Sequence, residues 1–285
     1  MHILTTTSAS LDDLVEPVDL RQQPADVVAL SFTDSDLAGL AQAWQADAAR
    51  LPSMRLAALR DLRHPMSVDL WAANTAAHAK LVLVRILGGY DWWRYGCDQL
   101  AAVARERGIK LALLPGESHD EDPRLIEGST LPRDELEALL GYFRQGGPAN
   151  MAALVQRLAG LAGMDAAVSE PVVVPKAGYY EPGRGVVRVP LGNAAPVIPI
   201  LFYRSMLLAA DVAPIDALVE ALRSQGMAPV PIFVSSLKDP TSLGFVEDAI
   251  AALNPAAIVT ATAFASSADP GARTLFDRAG VPVFQ

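Results

Sequence analysis

The sequence predicts an α/β fold made of two doubly wound units with mostly parallel sheets, the second incomplete. Three observations predict it. Short, nearly continuous apolar runs alternate with amphipathic helical stretches, the pattern of parallel strands covered on both faces. That rhythm breaks once, over residues 165–193, which hold Pro171, Pro175, Pro182, Pro190, four glycines and two tyrosines, and then restarts. The chain has 285 residues, a length that favours two domains. We therefore expect a first α/β domain over 1–165, an irregular linker over 166–190 and a second βαβ domain over 191–285. The chain ends inside its last predicted strand, so the second domain is expected to be truncated.

In order, VVALSF (27–32) reads as a strand, and Thr33 to Asp36 as a helix cap leading into a helix over 37–51. Residues 54–62 are a second strand, 67–80 a helix, and LVLVRIL (81–87) a third strand. A helix over 92–108 stops at Gly108, and IKLALL (109–114) is a fourth strand. Residues 2–5 are a further strand candidate. Residues 131–163 are helical, with a break at Gly146-Gly147-Pro148. In the second half, strands are expected over 197–203, 230–235, 257–264 and 281–285, and helices over 205–226, 242–253 and 269–279.

Composition removes several function classes. There are 23 Lys+Arg against 32 Asp+Glu, a net charge of −9, so the chain has no electrostatic reason to seek nucleic acid. The 51% apolar share is ample for buried cores. One cysteine, Cys97, excludes an internal disulfide or a CxxC site. The four histidines, His2, His64, His78 and His119, include no i, i+4 pair for a metal. No GxxxxGK[ST] or GxGxxG occurs, so no recognisable motif binds ATP or a dinucleotide cofactor. The N-terminus lacks a basic n-region and an apolar h-region, and no apolar run approaches the ~20 residues of a membrane span. A cytoplasmic location is expected.

Candidate site residues lie just past the strands, where parallel sheets collect ligands. His64 is either a ligand or proton carrier at a strand tip, or stands at a plain strand-to-helix junction where Pro65 ends the preceding segment and Ser67 is the expected N-cap. Arg85 stands in an apolar strand and needs an anionic or carbonyl partner, such as Asp69 or Asp91. Gly88 and Gly89 permit positive φ and close backbone approach. Trp92 and Arg94, among Tyr90, Trp93 and Tyr95, form an aromatic run that either stacks a flat ligand or fills a core. His64, Gly88-Gly89 and Gly116 should converge on one rim. In the second half Tyr203, Arg204 and Lys238 follow strands and should share one carboxyl edge, as cations for carboxylates or as a solvated rim. Thr260, Thr262, Ser266 and Ser267 add hydroxyls, Asn150 is read as an N-cap, and residues 117–122 (ESHDED) as a solvated loop. No carboxylate pair suited to acid–base work is evident, so catalytic residues remain unassigned.

Several segments, in register, carry a resemblance: HPMSVD (64–69), TAAHAKLVLVRILGG (75–89), RYG (94–96), LLPGE (113–117), YFRQGGPANM (142–151), FYRS (202–205), ALRSQGMAPVPIFVSSLKD (221–239) and NPAAIVTATAFA (254–265). Together they resemble the N-terminal region of the CobN-type large subunit of aerobic cobaltochelatase; the magnesium chelatase H subunit is a more distant look-alike. The resemblance implies part of a tetrapyrrole-binding subunit that places Co2+ in hydrogenobyrinic acid a,c-diamide during cobalamin biosynthesis. ATP would be hydrolysed by separate AAA+ subunits, which with the remaining part of the large subunit would be the partners. It implies no catalytic residue here, and the chain alone is expected to be inactive. The rival readings are a non-catalytic docking module contacting the AAA+ motor, a magnesium chelatase H subunit, and a stand-alone small-molecule receptor.

Overall fold

The computed structural model describes residues 16–116, 122–188, 190, 196–261 and 274–285. The predicted strand over 2–5, most of the 117–122 loop, and Thr262, Ser266 and Ser267 lie outside these residues. The chain divides into two compact units. One takes in the described residues up to Arg144 plus Met151–Pro171, and the other Gln145–Asn150 plus Val172–Gln285.

In the first unit four strands run parallel: β1 (Val27–Ser31), β2 (Met54–Ala58), β3 (Leu81–Ile86) and β4 (Lys110–Pro115). Their order is β2-β1-β3-β4, so the winding reverses between β1 and β3. Alternation along each strand explains the two covered faces. Val28, Leu30, Val82, Val84, Leu111 and Leu113 point to one face, against Val68 and Trp71 of α2 (Pro65–Asn74) and Cys97 and Leu100 of α4 (Arg94–Arg107). Val27, Ala29, Leu81, Leu83, Ala112 and Leu114 point to the other. There they meet Leu40 of α1 (Asp34–Ala46), Leu139 of α6 (Arg133–Gln145) and Leu154 and Leu158 of α7 (Gly147–Leu161). Arg85 has the parity of this second face. The short α3 (Gly89–Trp92) and α5 (Pro123–Gly128) decorate the carboxyl edge.

Local chemistry sets the boundaries. The Thr33 hydroxyl accepts from Ser35 N and starts α1. The second strand is shorter than expected, because residues 59–62 turn into a 3-10 helix that buries Leu59 and Leu62. His64, not Ser67, caps α2: its Nδ1 accepts from Met66 N at 3.1 Å and Pro65 occupies the first turn. Ser67 is buried instead and accepts from Val18 N. Gly146 and Gly147, at φ 61° and 84°, separate α6 from α7.

In the second unit the sheet order is β10-β9-β7-β8-β5-β6. The parallel strands are β7 (Val197–Tyr203), β8 (Ala228–Val234), β9 (Ile258–Thr260) and β10 (Val283–Phe284). They repeat the second-first-third-fourth order of the first unit. The expected linker over 166–190 is not irregular throughout: it holds β5 (Ala177–Glu181) and β6 (Gly185–Val187), a hairpin added antiparallel to β8. The prolines explain both the misreading and the limited pairing. Ala228 N bonds toward the β7 side, so the odd positions Pro229 and Pro231 turn their missing N–H toward the β5 side. β5 accordingly pairs only with Ile232–Val234. The helix expected over 205–226 is split into α8 (Arg204–Leu208) and α9 (Ala213–Ser224), with Ala210 at φ 57° and Pro214 in the first turn of α9. α10 (Pro240–Leu253) and α11 (Leu275–Ala279) complete the described elements.

Gly96 in α4 gives a direct stability test. A Cβ there would lie 2.1 Å from the Trp93 ring, which is buried and fixed by its Nε1–H donating to Leu62 O at 2.8 Å. Gly96→Ala should therefore destabilise the first unit by about 1–3 kcal/mol through overpacking, despite alanine's better helix propensity. A lower urea midpoint at unchanged slope checks it; an unchanged or higher midpoint would show that the Trp93 ring relaxes freely.

Candidate functional site

At the first unit's reversal point, Arg85 of β3 is paired with Ser31 of β1 and is only 7% exposed. Its partner is neither Asp69 nor Asp91 but Asp36, in the first turn of α1: Nη1 donates to Oδ2 at 2.6 Å. Asp36 was hidden among the capping residues after β1. The same Asp36 oxygen accepts from the Ser31 hydroxyl at 2.6 Å, and Arg85 Nη2 donates to Gly116 O at 3.0 Å. The guanidinium also lies over the rings of Phe32 and Phe143, at 5.3 and 4.6 Å from their centroids. Its Nε is buried and has no hydrogen-bond partner among the described residues. Burial lowers the Arg85 pKa against the opposing pull of Asp36.

Parallel pairing puts the ends of β2, β3 and β4 on one edge, which carries His64, Gly88-Gly89 and Gly116. Gly116 N donates to Ile86 O at 2.7 Å, and a Cβ on Gly116 would lie 2.9 Å from the Leu87 backbone. Only glycine fits that approach. Gly88 and Gly89 adopt φ 81° and 68°, and Tyr90 N donates to Asp122 at 2.7 Å. The aromatic run does not form one continuous shelf. Trp93 is buried, Trp92 is 47% exposed, and Arg124 stacks 4.5 Å above the Tyr90 ring. Arg94 and Arg124 both bind Asp91, pulling its pKa from 3.8 down to about 2, with the Arg124 hydrogen bond the larger cause. Burial pushes the Cys97 thiol up to about 12, so it is not a nucleophile at neutral pH.

In the second unit Tyr203 and Val234 are paired at the ends of β7 and β8, so Tyr203, Arg204 and Lys238 share a carboxyl edge. They do different things there. Arg204 points back and donates to Pro175 O at 2.9 Å and Val174 O at 2.8 Å, with burial lowering its pKa. Lys238 is exposed, while the ion pair of that edge joins Lys176 to Asp239 at 2.7 Å. Asn150 is not an N-cap. It is buried inside α7, donating to Gly146 O and Val172 O and accepting from Val172 N. Asn150, Gln145 and Arg204 thus supply side-chain partners for the extended backbone of residues 172–174 and Pro175, which no strand pairs.

That strap forms one wall of a cavity of about 900 Å3, the size of a cofactor or drug-like ligand site. The other walls are the β5–β6 hairpin, Leu207 and Phe245, whose ring meets Tyr179 edge-on at 5.1 Å. Arg184 and Arg188 of the hairpin also line it, both exposed and neither paired with a carboxylate among the described residues. Neither arginine was singled out in the sequence, though the GRG between two strands was a hairpin signal. Among the described residues no group of three or more His, Cys, Asp or Glu side chains is arranged to hold a metal ion, and no helix is long and apolar enough to cross a membrane.

The geometry defines a protein of two doubly wound α/β units, each with candidate ligand-binding chemistry at or near the carboxyl ends of its strands. A family model described as CobN/Magnesium Chelatase matches residues 140–285, half of the chain, and the chain belongs to that family. It is 36% identical over 301 aligned residues to an aerobic cobaltochelatase subunit CobN from a Sinorhizobium species, and 37% identical over 293 to one from Pseudomonas aeruginosa. Each comparison covers 100% of this chain and 23% of the relative, so the chain spans about a quarter of their length. The solved catalytic subunit of cobaltochelatase from Mycobacterium tuberculosis matches with a TM-score of 0.65 at 27% identity, over 86% of this chain and 19% of that one.

Two outcomes test the first unit's edge. Asp36→Asn leaves the Arg85 charge buried without its counter-ion, and should cost about 3–5 kcal/mol in equilibrium unfolding. A loss below about 1 kcal/mol, the scale of a surface pair, would contradict the buried-pair reading. Asp91 has its folded pKa depressed, so its stabilising contribution is present above the unfolded value and is lost as pH falls through about 2. Between pH 4 and pH 2, Asp91→Asn should lose less stability than the parent chain, measured as urea midpoints; equal pH slopes would refute it.

Proposed function

We propose that this chain is part of the large, tetrapyrrole-binding subunit of an ATP-dependent cobaltochelatase, which inserts Co2+ into hydrogenobyrinic acid a,c-diamide in cobalamin biosynthesis. The observation that carries the reading is the alignment of the whole chain, both units included, with two aerobic cobaltochelatase CobN subunits at 36% and 37% identity. The missing phosphate-binding motif accords with ATP hydrolysis on separate AAA+ subunits, acting with the rest of the large subunit in the cytoplasm.

Metal insertion removes two ring N–H protons, strips water from the Co2+ substrate and bends the macrocycle. This chain's part in that work is to hold the ring. The cavity in the second unit offers apolar walls for the ring faces, with Tyr179, Phe245 and Leu207 among them. Arg184 and Arg188 on the hairpin are placed to meet peripheral carboxylates or amide oxygens. The strap held by Arg204 and Asn150 keeps the cavity open before the ring arrives.

All four tryptophans lie in the first unit, so the ring's own absorbance and equilibrium dialysis are the better readouts. Hydrogenobyrinic acid a,c-diamide should bind the chain saturably, and an Arg184→Gln, Arg188→Gln double variant should bind about tenfold or more weakly. No saturable binding by the parent chain, or equal binding by the double variant, would overturn the assignment of the cavity.

A further inference from the structure

A second cavity lies wholly within the first unit, at the carboxyl end of the edge strand β4. It has a volume of about 270 Å3. Its floor is apolar: Leu114, Leu136 and Leu140 are buried and Ile126 half-buried. Arg133 and Glu137 on its rim neutralise one another at 3.0 Å. Arg144, from the last turn of α6, also lines it and is exposed. Among the described residues it has no hydrogen-bond or ion-pair partner.

Asp122 also lines the cavity, its carboxylate accepting from Tyr90 N and Arg124 N, so two carboxylates and two guanidiniums share the lining. One strand further in, Arg85 sits opposite Leu114 across the β3–β4 pairing. Asp36 balances Arg85, and Arg144, which has no ion-pair partner among the described residues, acts on Arg85 as a second like charge. The Nε of Arg85, whose side chain is 9% exposed, is a buried donor with no hydrogen-bond partner among the described residues. Phe143, directly before Arg144, stacks on the Arg85 guanidinium, so the two arginines are held by consecutive residues of one helix. An apolar slot ending at a guanidinium with no partner among the described residues matches a ligand with an apolar body and an anionic oxygen head.

We propose that this cavity is a binding site for a small carboxylate with a short aliphatic chain, its carboxylate on Arg144 and its chain on the Leu114–Leu136–Leu140 floor. The site is separate from the second-unit cavity and does not depend on the chelatase reading. A ligand's carboxylate there also brings negative charge to the Arg85–Arg144 pair, offsetting the repulsion that Asp36 alone leaves.

The test uses the whole 285-residue chain and three probes: hexanoate, its neutral isostere hexanamide, and inorganic phosphate. Isothermal titration should show saturable hexanoate binding, with hexanamide and phosphate each weaker by about tenfold or more, one lacking the charge and the other the chain. Arg144→Gln, a change at an exposed position, should reduce hexanoate affinity by about tenfold and leave the unfolding midpoint unchanged. Equal binding of hexanoate and hexanamide would overturn the charge recognition, and phosphate binding as tightly as hexanoate would overturn the apolar slot. Undiminished hexanoate binding by the Arg144→Gln chain would overturn the site. Loss of second-unit ring binding leaves all of these readouts untouched, so the two assignments fail separately.

Discussion

The Arg85 guanidinium is the constraint around which the first unit's functional edge is arranged. A charge placed in a parallel strand at a reversal point is costly unless every neighbouring element answers it. Here β1 contributes Ser31, α1 contributes Asp36, the end of β4 contributes the Gly116 carbonyl, and α6 contributes the Phe143 ring. α1, the end of β4 and α6, far apart in sequence, are thereby tied to one side chain, and Ser31 of β1 holds its counter-ion Asp36. The crevice that a doubly wound sheet ordinarily offers to a ligand between its first and third strands is occupied by the protein itself. Free ligand chemistry is displaced one strand outward, to the β4 edge and Arg144.

The second unit uses the same strand order with different means. Its β7–β8 edge is not locked by a buried ion pair. Arg204 donates instead to backbone carbonyls of the strap, and Asn150 reads the strap's backbone as a neighbouring strand would. Amide and guanidinium groups can satisfy an extended backbone without closing it off with a further strand. The result is an open-sided wall beside the hairpin, where a strand in that place would have filled the space. Pro229 and Pro231 act in the same direction, since β8 lacks donors where a longer β5 would have paired.

Much of this architecture was legible in the sequence because period and punctuation agree there. The runs at 27–32 and 81–87 are apolar on both faces, and the Gly146-Gly147-Pro148 break separates two helices as expected. The β5–β6 hairpin was misread because its strands are short and interleaved with glycine and proline, the residues that mark loops. The partner of Arg85 was missed for a different reason. Asp36 belongs to a Thr-Asp-Ser-Asp cluster whose helix-capping role is a sufficient local explanation, and nothing local says that one carboxylate also faces a strand 49 residues away. His64 stands at the expected strand-to-helix junction, but its own Nδ1, rather than the Ser67 hydroxyl, caps the helix by accepting from Met66 N.

Arginine function in this chain is therefore decided by what else can satisfy the guanidinium, more than by position at a strand end. Arg85, Arg94 and Arg204 all stood out in the sequence, and all three are engaged within the protein, by Asp36, by Asp91 and by strap carbonyls. Arg144 lies in the Tyr142–Asn150 segment that reads mostly as a helix break, and Arg184 and Arg188 lie among glycine and apolar neighbours that read as a linker. Among the described residues their guanidinium groups meet no carboxylate, as is also true of Arg21, Arg55, Arg63, Arg105 and Arg204, but these three border the two cavities assigned to ligands. A buried or edge arginine that completes the fold has no charge to spare for a ligand. At these two cavities the capacity to bind anionic groups thus lies with arginines that meet no carboxylate among the described residues, one beside β4 and two on the added hairpin.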